Sequence, residues 1–178
     1  LKTISYANSH GVLAHLEAWV KYYKDCGISL NVDDINVTNG GSEALTFAIA
    51  ATTDPKDEIL VFEPYYANYS GFAHMLSAKV VPVPLDNKNG KNKNLLSVLE
   101  KLNEAKITKR TRAILFTNPN NPTGTVFGKN EIQTIIDLAV KFNLFVIADE
   151  TYRGLCFDGK KSYSMLHLAK DREVEKSL

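Results

Sequence analysis

Two short polar runs, each placed at the end of an apolar stretch, carry the residues of this chain that could do chemistry. Residues 118–124 read Asn-Pro-Asn-Asn-Pro-Thr-Gly and follow the apolar residues 113–116, whereas residues 148–152 read Ala-Asp-Glu-Thr-Tyr and close a second apolar stretch. Apolar runs of this length predict buried strands of a parallel sheet. Because α/β proteins bind ligands at the carboxyl ends of such strands, we expect Asn121 and Asp149 to lie side by side at one edge of the sheet.

The types of these two side chains suit the recognition of a polar ligand. A carboxylate at the end of a buried strand, such as Asp149, is costly to bury unless a cation or several hydrogen bonds stabilise it. Asn121 lies between prolines, so its backbone is held stiffly and its amide presents both a donor and an acceptor. Alternative interpretations stay open, since Asp149 could form a cap or an ion pair with an arginine and residues 118–124 could be only a proline-rich turn.

A glycine turn at the predicted start of a helix is a candidate site for an anion. Gly40, Gly41 and Ser42 let the backbone approach a ligand, and Glu43 begins a segment whose first amide groups lack partners within the helix. A phosphate group would bind there, although a Gly-Gly turn with a serine cap is also common in ordinary structure. The chain contains neither G-x-G-x-x-G nor a P-loop, which disfavours ATP and NAD.

Tyrosines follow another predicted strand. Residues 63–69 read Glu-Pro-Tyr-Tyr-Ala-Asn-Tyr, and one of these rings could stack on a planar heterocycle, with packing in the core or at its rim as the alternative. The four histidines show no pairing typical of a metal site or a catalytic relay, and no serine, histidine and aspartate combine into a hydrolase triad. The candidate chemistry therefore concentrates at the ends of strands.

The composition favours a small-molecule role. At 178 residues and 44% hydrophobic content, the chain is long enough for one domain with a sizeable core, or for a piece of one. Its formal net charge of +1 argues against nucleic acid or an anionic membrane as the main partner. No stretch approaches the roughly 20 apolar residues of a membrane span, no signal peptide is visible, and Cys26 and Cys156 are far apart, so we expect a cytoplasmic protein.

Hydrophobic periodicity predicts an α/β succession of elements. Helices are expected at residues 13–24, with a stop at Gly27, and at residues 43–52, 69–77, 95–106 and 131–142. Strands are expected at residues 35–38, 58–62, 79–84, 113–117 and 144–148. Residues 86–94 are expected to form an exposed loop, and residues 170–176 a solvated polar segment.

Taken in order, the motifs resemble those of the fold-type I aminotransferases that depend on pyridoxal 5'-phosphate, the class that contains aspartate, alanine and aromatic aminotransferases. Members share a tyrosine shortly before a glycine, a T-x-G-x-x-E-A-L turn, a P-Y-W/Y-x-x-Y run, an N-P-x-N-P-T-G loop and a D-E-x-Y segment. These stand here at Tyr6 with Gly11 and at residues 38–45, 64–69, 118–124 and 149–152. The resemblance covers nearly the whole chain and implies a three-layer α/β/α sandwich with a mainly parallel sheet.

The resemblance also implies a role for each matching residue. Asp149 would bond the protonated pyridine nitrogen of the cofactor. Asn121 and Tyr152 would bond its phenolic oxygen, and Tyr66 would stack on its ring. Tyr66 and Asn121 would also contact the substrate, which is an amino acid or a 2-oxo acid. The backbone groups expected to hold the phosphate belong to Gly41, Ser42 and Glu43.

Two implications of the resemblance concern a second subunit and the sequence that follows residue 178 in relatives. The tyrosine that matches Tyr6 reaches the phosphate of the neighbouring subunit in relatives, which implies a homodimer with shared active sites. The lysine that forms the Schiff base with the cofactor lies roughly thirty-odd residues after the aspartate in relatives, which is just past Leu178 here. We therefore expect residues 1–178 to be the front part of the large cofactor domain, without its carboxyl-terminal half and the small domain, and to be inactive alone.

We accordingly expect a piece of an enzyme that transfers an amino group between an amino acid and a 2-oxo acid. Other interpretations stay open. Another fold-type I enzyme, such as a carbon-sulfur lyase or an aminocyclopropane-carboxylate synthase, would carry the same motifs. A non-catalytic ligand-binding or scaffold protein could retain the fold, and a nucleotide-binding domain would require the phosphate motifs that the chain lacks.

Overall fold

The computed structural model describes residues 6–85, 106–157, 159 and 161–169. The chain divides into two compact units, with the boundary between Ala44 and Leu45. In the first unit, helix α1 (Leu13–Asp25) buries Leu16, and the chain leaves the helix through Gly27, whose φ is 81°. The left-handed backbone at Gly27 is the stop signal that the sequence predicts, so both the helix and its end are confirmed.

The strand predicted at residues 35–38 is wrong. A short 3-10 helix, Val32–Asp34, is followed by irregular extended backbone. The amide of Val37 donates to the carbonyl oxygen of His10 at 2.9 Å, and a single bond to an irregular segment is not the repeated pattern of a strand ladder. Val37 also lies against Gly11, where an added Cβ would come within 2.9 Å of the valine side chain.

In the second unit, the described residues form one parallel sheet of four strands. Its strands are β1 (Glu58–Glu63), β2 (Lys79–Pro84), β3 (Thr111–Thr117) and β4 (Phe145–Asp149), in the spatial order β2-β1-β3-β4. Strands that are covered on both faces are expected to be continuously apolar, and β1 and β3 are buried along almost their whole length. All four strands confirm the sequence prediction, and β2 has the predicted bounds.

In addition to α1, the described residues form the helices α2 (Gly41–Thr52), α3 (Asn68–Met75), α4 (Lys129–Phe142) and α5 (Met165–Ala169). The helices predicted at residues 43–52, 69–77 and 131–142 are confirmed, with ends displaced by one or two residues. The loop predicted at residues 86–94 and the polar segment at residues 170–176 lie outside the described residues, as does nearly all of the helix predicted at residues 95–106. None of the described helices is both long and apolar enough to cross a membrane.

Helix α4 shows why such segments fold as they do. Its buried residues recur at helical spacing and form one apolar face: Ile132, Ile135, Ile136 and Ala139. At its start, the carboxylate of Glu131 accepts a hydrogen bond from the amide of Gly128 at 2.7 Å. At its end, Asn143 adopts a left-handed φ of 51°, which terminates the helix.

The described buried side chains of the second unit form a cluster on each face of the sheet. Leu60, Ile114 and Phe116 point to one face, together with the apolar face of α4. The alternate residues of the same strands point to the other face, where they meet side chains of α2 and α3: Ile59, Val61, Ala113, Leu115, Leu45, Ile49, Tyr69 and Ala73. Helices therefore cover both faces of the sheet, which confirms the three-layer α/β/α sandwich.

The connections reverse direction in the middle of the sheet. From β1 the chain passes through α3 to β2 on one side, whereas from β3 it passes through α4 to β4 on the other side. The two helices lie on opposite faces, as right-handed crossovers in opposite directions require. The crevice beyond the carboxyl ends of β1 and β3 is thus the place where this kind of sheet binds ligands.

The amino ends of the strands, opposite this crevice, also form polar contacts. The hydroxyl of Thr108 donates to the carboxylate of Glu58 at 2.7 Å, and its backbone amide donates to the hydroxyl of Thr111 at 2.9 Å. Arg112 and Asp57 form an ion pair at 3.4 Å. These contacts tie the amino ends of β1 and β3 together.

Candidate functional site

The segments that follow β1, β3 and β4 supply the candidate site in the second unit. Thr117 and Asp149 are paired across β3 and β4 at the carboxyl ends of these strands. Asn121 follows β3 by four residues, so it and Asp149 lie after neighbouring strands, as the sequence predicts. Tyr66 follows β1, the strand on the other side of β3.

Asp149 is half-buried, and its carboxylate is held by three hydrogen bonds. Oδ1 accepts from the backbone amide of Thr151 at 3.1 Å and from the hydroxyl of the same residue at 2.7 Å. Oδ2 accepts from the hydroxyl of Tyr69 at 2.7 Å. The arginine that follows it in sequence, Arg153, instead pairs with Glu150 at 3.0 Å. Within the described part of the chain, neutral donors rather than a cationic side chain therefore hold Asp149.

Tyr69 connects Asp149 to the tyrosines after β1. The side chain of Tyr69 is 0% exposed, and its hydroxyl forms a second, short hydrogen bond with the hydroxyl of Thr117. Burial raises the pKa of Tyr69 far above its usual value; the Thr117 hydrogen bond opposes this shift, and the negative charge of Asp149 adds to it. Tyr69 is therefore a protonated donor throughout the physiological pH range.

The ring of Tyr66 is fixed at both ends. It packs in a T-shaped arrangement with Tyr69, with ring centroids 5.5 Å apart and planes at 88°, and its hydroxyl accepts a hydrogen bond from the side-chain amide of Asn68 at 2.7 Å. Tyr65 stacks against the same Tyr69 ring, with centroids 6.4 Å apart, while its own hydroxyl bonds Ser70 at 3.0 Å. The half-buried Tyr66 ring is thereby held in one orientation.

Asn121 and Tyr152 meet beside a cavity. The side-chain amide of Asn121 donates a weak hydrogen bond to the hydroxyl of Tyr152 at 3.5 Å, a distance beyond the usual N–H···O range. The cavity measures about 380 Å³ and is lined by Pro119, Asn120, Asn121, Pro122, Gly124, Val126, Tyr152, Leu155 and Phe157. A donor amide and a donor hydroxyl thus lie at the wall of a cavity that is lined by both polar and apolar groups.

The other two asparagines of the loop after β3 maintain its shape. Asn118 is 1% exposed, and its Oδ1 accepts from the amide of Phe127 at 2.9 Å. The side-chain amide of Asn120 donates to the carbonyl oxygen of Pro64 at 3.1 Å and to the hydroxyl of Thr123 at 2.9 Å. The three asparagines therefore differ in role, and Asn121 is the one whose side chain meets Tyr152 at the cavity wall.

The glycine turn lies in the first unit and leads into α2. Gly40 has a left-handed φ of 85°, and nothing lies within 4 Å of the position where its Cβ would be. The helix begins at Gly41, two residues before the predicted start at Glu43, so Gly41, Ser42 and Glu43 form its first turn. The carboxylate of Glu43 accepts from the amide of Asn39 at 2.6 Å, so this side chain acts as a cap. Tyr6, in the same unit, is fully exposed.

Sequence reasoning missed Tyr69 and Thr117 as residues that hold the site. A signal for Tyr69 was present, since it falls three residues after Tyr66 at the start of a predicted helix and so returns to the same side. Thr117 also gave a signal, because it is the polar residue that closes an otherwise apolar strand. The hydroxyl of Tyr69 bonds Thr117 and Asp149, which lie 48 and 80 positions further along the sequence, and no local pattern shows such pairings.

Comparison with known proteins places this geometry in a family. The model of the family "Aminotransferase class I and II" matches residues 2–175. An aspartate aminotransferase of Pyrococcus horikoshii is 32% identical over 170 residues, which are 95% of this chain and 42% of that protein. A glutamate-pyruvate aminotransferase, AlaA, of Haemophilus influenzae is 34% identical over 167 residues, which are 93% of this chain and 40% of that protein.

Solved structures agree with the sequence matches. The aspartate aminotransferase from Thermus thermophilus with maleate superposes with a TM-score of 0.81 at 30% identity, covering 93% of this chain and 42% of that one. The N-succinyldiaminopimelate aminotransferase from Mycobacterium tuberculosis gives a TM-score of 0.80, also at 30% identity, covering 90% of this chain and 41% of that one. The chain thus spans about two fifths of the length of these relatives. The resemblance seen in the motifs is confirmed, and the chain belongs to the class I and II aminotransferase family.

Proposed function

We propose that the protein to which this chain belongs transfers an amino group between an amino acid and a 2-oxo acid with the aid of pyridoxal 5'-phosphate. Members of the family depend on this cofactor. The chain itself corresponds to part of the large cofactor-binding domain of these enzymes. The observation that carries the proposal is the carboxylate of Asp149, which is half-buried at the carboxyl end of β4 and held by neutral donors.

The donor and acceptor set around Asp149 fits the cofactor ring. A half-buried carboxylate without a cationic partner among the described residues is suited to a cationic N–H group, such as a protonated pyridine nitrogen. Bound pyridoxal phosphate supplies an electron-withdrawing ring that stabilises the negative charge formed at the α-carbon of an amino acid. The part of Asp149 in this chemistry is to keep the ring nitrogen protonated and to fix the direction of the ring.

Asn121 and Tyr152 fit the other polar edge of the ring. Their N–H and O–H groups meet at the cavity wall and can both be directed to one anionic oxygen, which is the chemistry of the phenolic oxygen of the cofactor. We assign Asn121 a second contact, to the carboxylate of the substrate. Tyr66 offers a held aromatic face for stacking, and its position near the substrate follows from the same assignment.

We assign the phosphate to the first turn of α2. The leading amide groups of a helix have no carbonyl acceptor within the helix and carry partial positive charge. Gly41, Ser42 and Glu43 would contribute backbone groups, and the left-handed Gly40 before them supports a tight turn with an open surface. Because the Glu43 side chain caps Asn39, its contribution would come from its backbone.

The assembly and the location of the protein follow the same assignment. We propose a homodimer in which Tyr6 reaches the phosphate held by the partner subunit, and the full exposure of Tyr6 supports this because its hydroxyl is available to another chain. We propose the cytoplasm as the location. Cys26 and Cys156 support it, since both are thiols rather than halves of a disulfide bond.

The proposal is tested on the protein as its gene encodes it. Pyridoxal phosphate is titrated into the purified protein, and binding is followed by its absorbance and by quenching of tryptophan fluorescence. Aspartate, alanine and glutamate are then supplied separately, with 2-oxoglutarate, pyruvate or oxaloacetate as the acceptor, and the new amino acid is measured. Binding with transfer supports the proposal. Binding without transfer to any acceptor would show a ligand-binding protein that retains the fold, and absence of binding would refute the cofactor assignment.

A further inference from the structure

A chain of hydrogen bonds crosses three elements beneath the candidate site. The hydroxyl of Tyr69, at the start of α3, lies 2.7 Å from Oδ2 of Asp149 at the end of β4. The same hydroxyl bonds the hydroxyl of Thr117 at the end of β3. Tyr69 and Thr117 are almost completely buried, so these bonds are shielded from water.

The chemistry of the three groups sets the direction of the chain. An ionised carboxylate only accepts hydrogen bonds, so the single hydroxyl hydrogen of Tyr69 is donated to Asp149. The oxygen of Tyr69 must then accept from Thr117, which becomes the donor. The opposing influences on the pKa of Tyr69 agree with this order, because the Thr117 bond favours loss of the tyrosine proton and the Asp149 bond opposes it. Thr117 therefore donates to Tyr69, and Tyr69 donates to Asp149.

The same hydrogen bonds decide which oxygen of Asp149 is open to a ligand. A carboxylate has about four lone-pair positions, two on each oxygen. The amide and the hydroxyl of Thr151 occupy both positions on Oδ1. Tyr69 occupies one position on Oδ2. Among the described residues, the remaining position thus lies on Oδ2, the oxygen that Tyr69 holds.

We propose that Tyr69, supported by Thr117, is a positioning residue that presents Oδ2 of Asp149 to the ring nitrogen of the ligand. The inference rests on the proposed function, in which Asp149 bonds a protonated pyridine nitrogen. With Tyr69 in place, the carboxylate cannot turn about its Cβ–Cγ bond without losing a buried hydrogen bond. The site is therefore preorganised for a ligand with a ring N–H, and the preference for such a ligand over one without it depends on Tyr69.

This role differs in its effects from that of an ordinary core tyrosine. A purely structural Tyr69 would change stability, and all ring ligands would lose affinity together. A positioning Tyr69 changes the discrimination between a ring that carries nitrogen and one that does not. The ratio of two dissociation constants measures this discrimination and does not depend on turnover.

The experiment uses the protein as its gene encodes it and two probes. One probe is pyridoxal 5'-phosphate, and the other is its carbocyclic analogue, in which a C–H group replaces the ring nitrogen. The dissociation constants are measured by fluorescence titration for the wild type, Tyr69→Phe, Asp149→Asn and the double variant. Tyr65→Phe is the matched control, because it removes the hydroxyl of a neighbouring tyrosine that bonds Ser70 rather than Asp149.

We expect the wild type to prefer pyridoxal phosphate and Tyr69→Phe to reduce that preference by about tenfold, the loss typical of one hydrogen bond to a charged group. Asp149→Asn should abolish the preference, and the double variant should match Asp149→Asn because the two residues act on one interaction. Tyr65→Phe should behave as the wild type does.

The failures of the two proposals are distinguishable. If Asp149→Asn abolishes the preference while Tyr69→Phe leaves it intact, Tyr69 does not position Asp149 and the inference is overturned. If the wild type binds both probes equally, or neither, the assignment of Asp149 to the ring nitrogen fails, and the inference fails with it.

A second variant covers the case in which Tyr69→Phe does not fold. Thr117→Val removes the donor at the far end of the chain and retains the Tyr69 hydroxyl, while Thr117→Ser restores a hydroxyl. We expect Thr117→Val to reduce the preference for the ring nitrogen by about threefold and Thr117→Ser to recover it. An unchanged preference in Thr117→Val would equally overturn the proposed chain.

Discussion

The side-chain amide of Asn120 lies 3.1 Å from the carbonyl oxygen of Pro64, which joins the segment after β3 to the segment after β1. Asn120 is adjacent to Asn121, and Pro64 is two residues before Tyr66. Both Asn121 and Tyr66 are assigned to the cofactor ring. The two segments are 56 positions apart in sequence and adjacent at the edge of the sheet. Their relative position is thus fixed before any ligand binds.

Replacing Asn120 should loosen this connection. Asn120→Ala removes the donor to Pro64, and we expect the free energy of unfolding to fall by about 1 kcal/mol. The affinity for pyridoxal phosphate should fall as well, because the stacking ring and the loop after β3 would no longer be held together. Urea denaturation and a fluorescence titration measure the two effects. Asn130→Ala, on the exposed first turn of α4, is the control and should change neither.

The neighbouring asparagines should separate stability from binding. Asn118→Ala leaves the buried amide of Phe127 without its acceptor, so the free energy of unfolding should fall by about 1–3 kcal/mol. Asn121→Ala removes a half-buried side chain at the cavity wall and should leave stability nearly unchanged while it weakens the binding of pyridoxal phosphate. Equal effects of the two variants on stability would contradict the division of roles within this loop.

The buried Tyr69 should make stability depend on alkaline pH. An unfolded tyrosine loses its proton near pH 10, whereas in the native state the pKa of Tyr69 is raised by burial and the proton is retained. Above about pH 10 the unfolded chain therefore binds fewer protons than the native one, and the free energy of unfolding falls as pH rises. Below that pH the contribution of Tyr69 is fully present.

The measurement compares wild type and Tyr69→Phe by urea denaturation at pH 8 and pH 10.5. The difference between their unfolding free energies should be largest at pH 8 and should shrink at pH 10.5, because the variant lacks the titrating group. Tyr65→Phe should follow the wild type at both values. A difference that stays constant would show that the Tyr69 proton is released at the ordinary pKa of a tyrosine.

One pair of identical substitutions tests the core of the sheet. Val61 in β1 is 0% exposed, whereas Val140 in α4 is 56% exposed. Val61→Ala should lower the free energy of unfolding by about 2–3 kcal/mol, since it removes two buried carbon atoms and leaves a cavity. Val140→Ala should be neutral or slightly stabilising, because alanine is the better helix former. Thermal or urea denaturation would detect a reversal of this order, which would mean that β1 is not central to the core.

Two glycines should respond to alanine in opposite ways. Gly11 has a φ of 123°, and an added Cβ would lie 2.9 Å from the side chain of Val37. Gly11→Ala should therefore destabilise the first unit by roughly 1–3 kcal/mol, from backbone strain and crowding combined. Gly71→Ala, inside α3 and with open space around it, should stabilise the protein by about 0.5–1 kcal/mol. Hydrogen exchange would assign each change to its unit.

Local patterns in the sequence predicted most of the described elements. The strands β1 to β4 and the helices α1, α2, α3 and α4 all coincide with apolar runs or apolar helical spacing. The pattern gave a wrong prediction at residues 35–38. Apolar and polar residues alternate there as they do in a strand, but the backbone amide of Val37 bonds the irregular segment at His10 and not a neighbouring strand. The five-residue helix α5 is too short to show a period.

The candidate site was predictable only in part. Asn121, Asp149 and Tyr152 follow buried strands, so their location at the carboxyl edge could be inferred from strand ends alone. The hydrogen bonds that Tyr69 and Asn120 form could not, because they depend on which strands are neighbours and on the reversal of the connections between β1 and β3. The order β2-β1-β3-β4 is a property of the whole sheet and is absent from any short segment.

The amino ends and the carboxyl ends of the strands have different roles, which is useful for protein engineering. Asp57 with Arg112 and Glu58 with Thr108 brace the amino edge, about one strand length from the candidate chemistry at the other edge. Substitutions at these contacts lie far from the residues assigned to the ligand, so we expect them to change stability, by about 1 kcal/mol at most, rather than ligand recognition. The amino ends of the strands are consequently the region to vary when stability is to be changed, and the carboxyl ends are the region to vary when ligand recognition is to be changed.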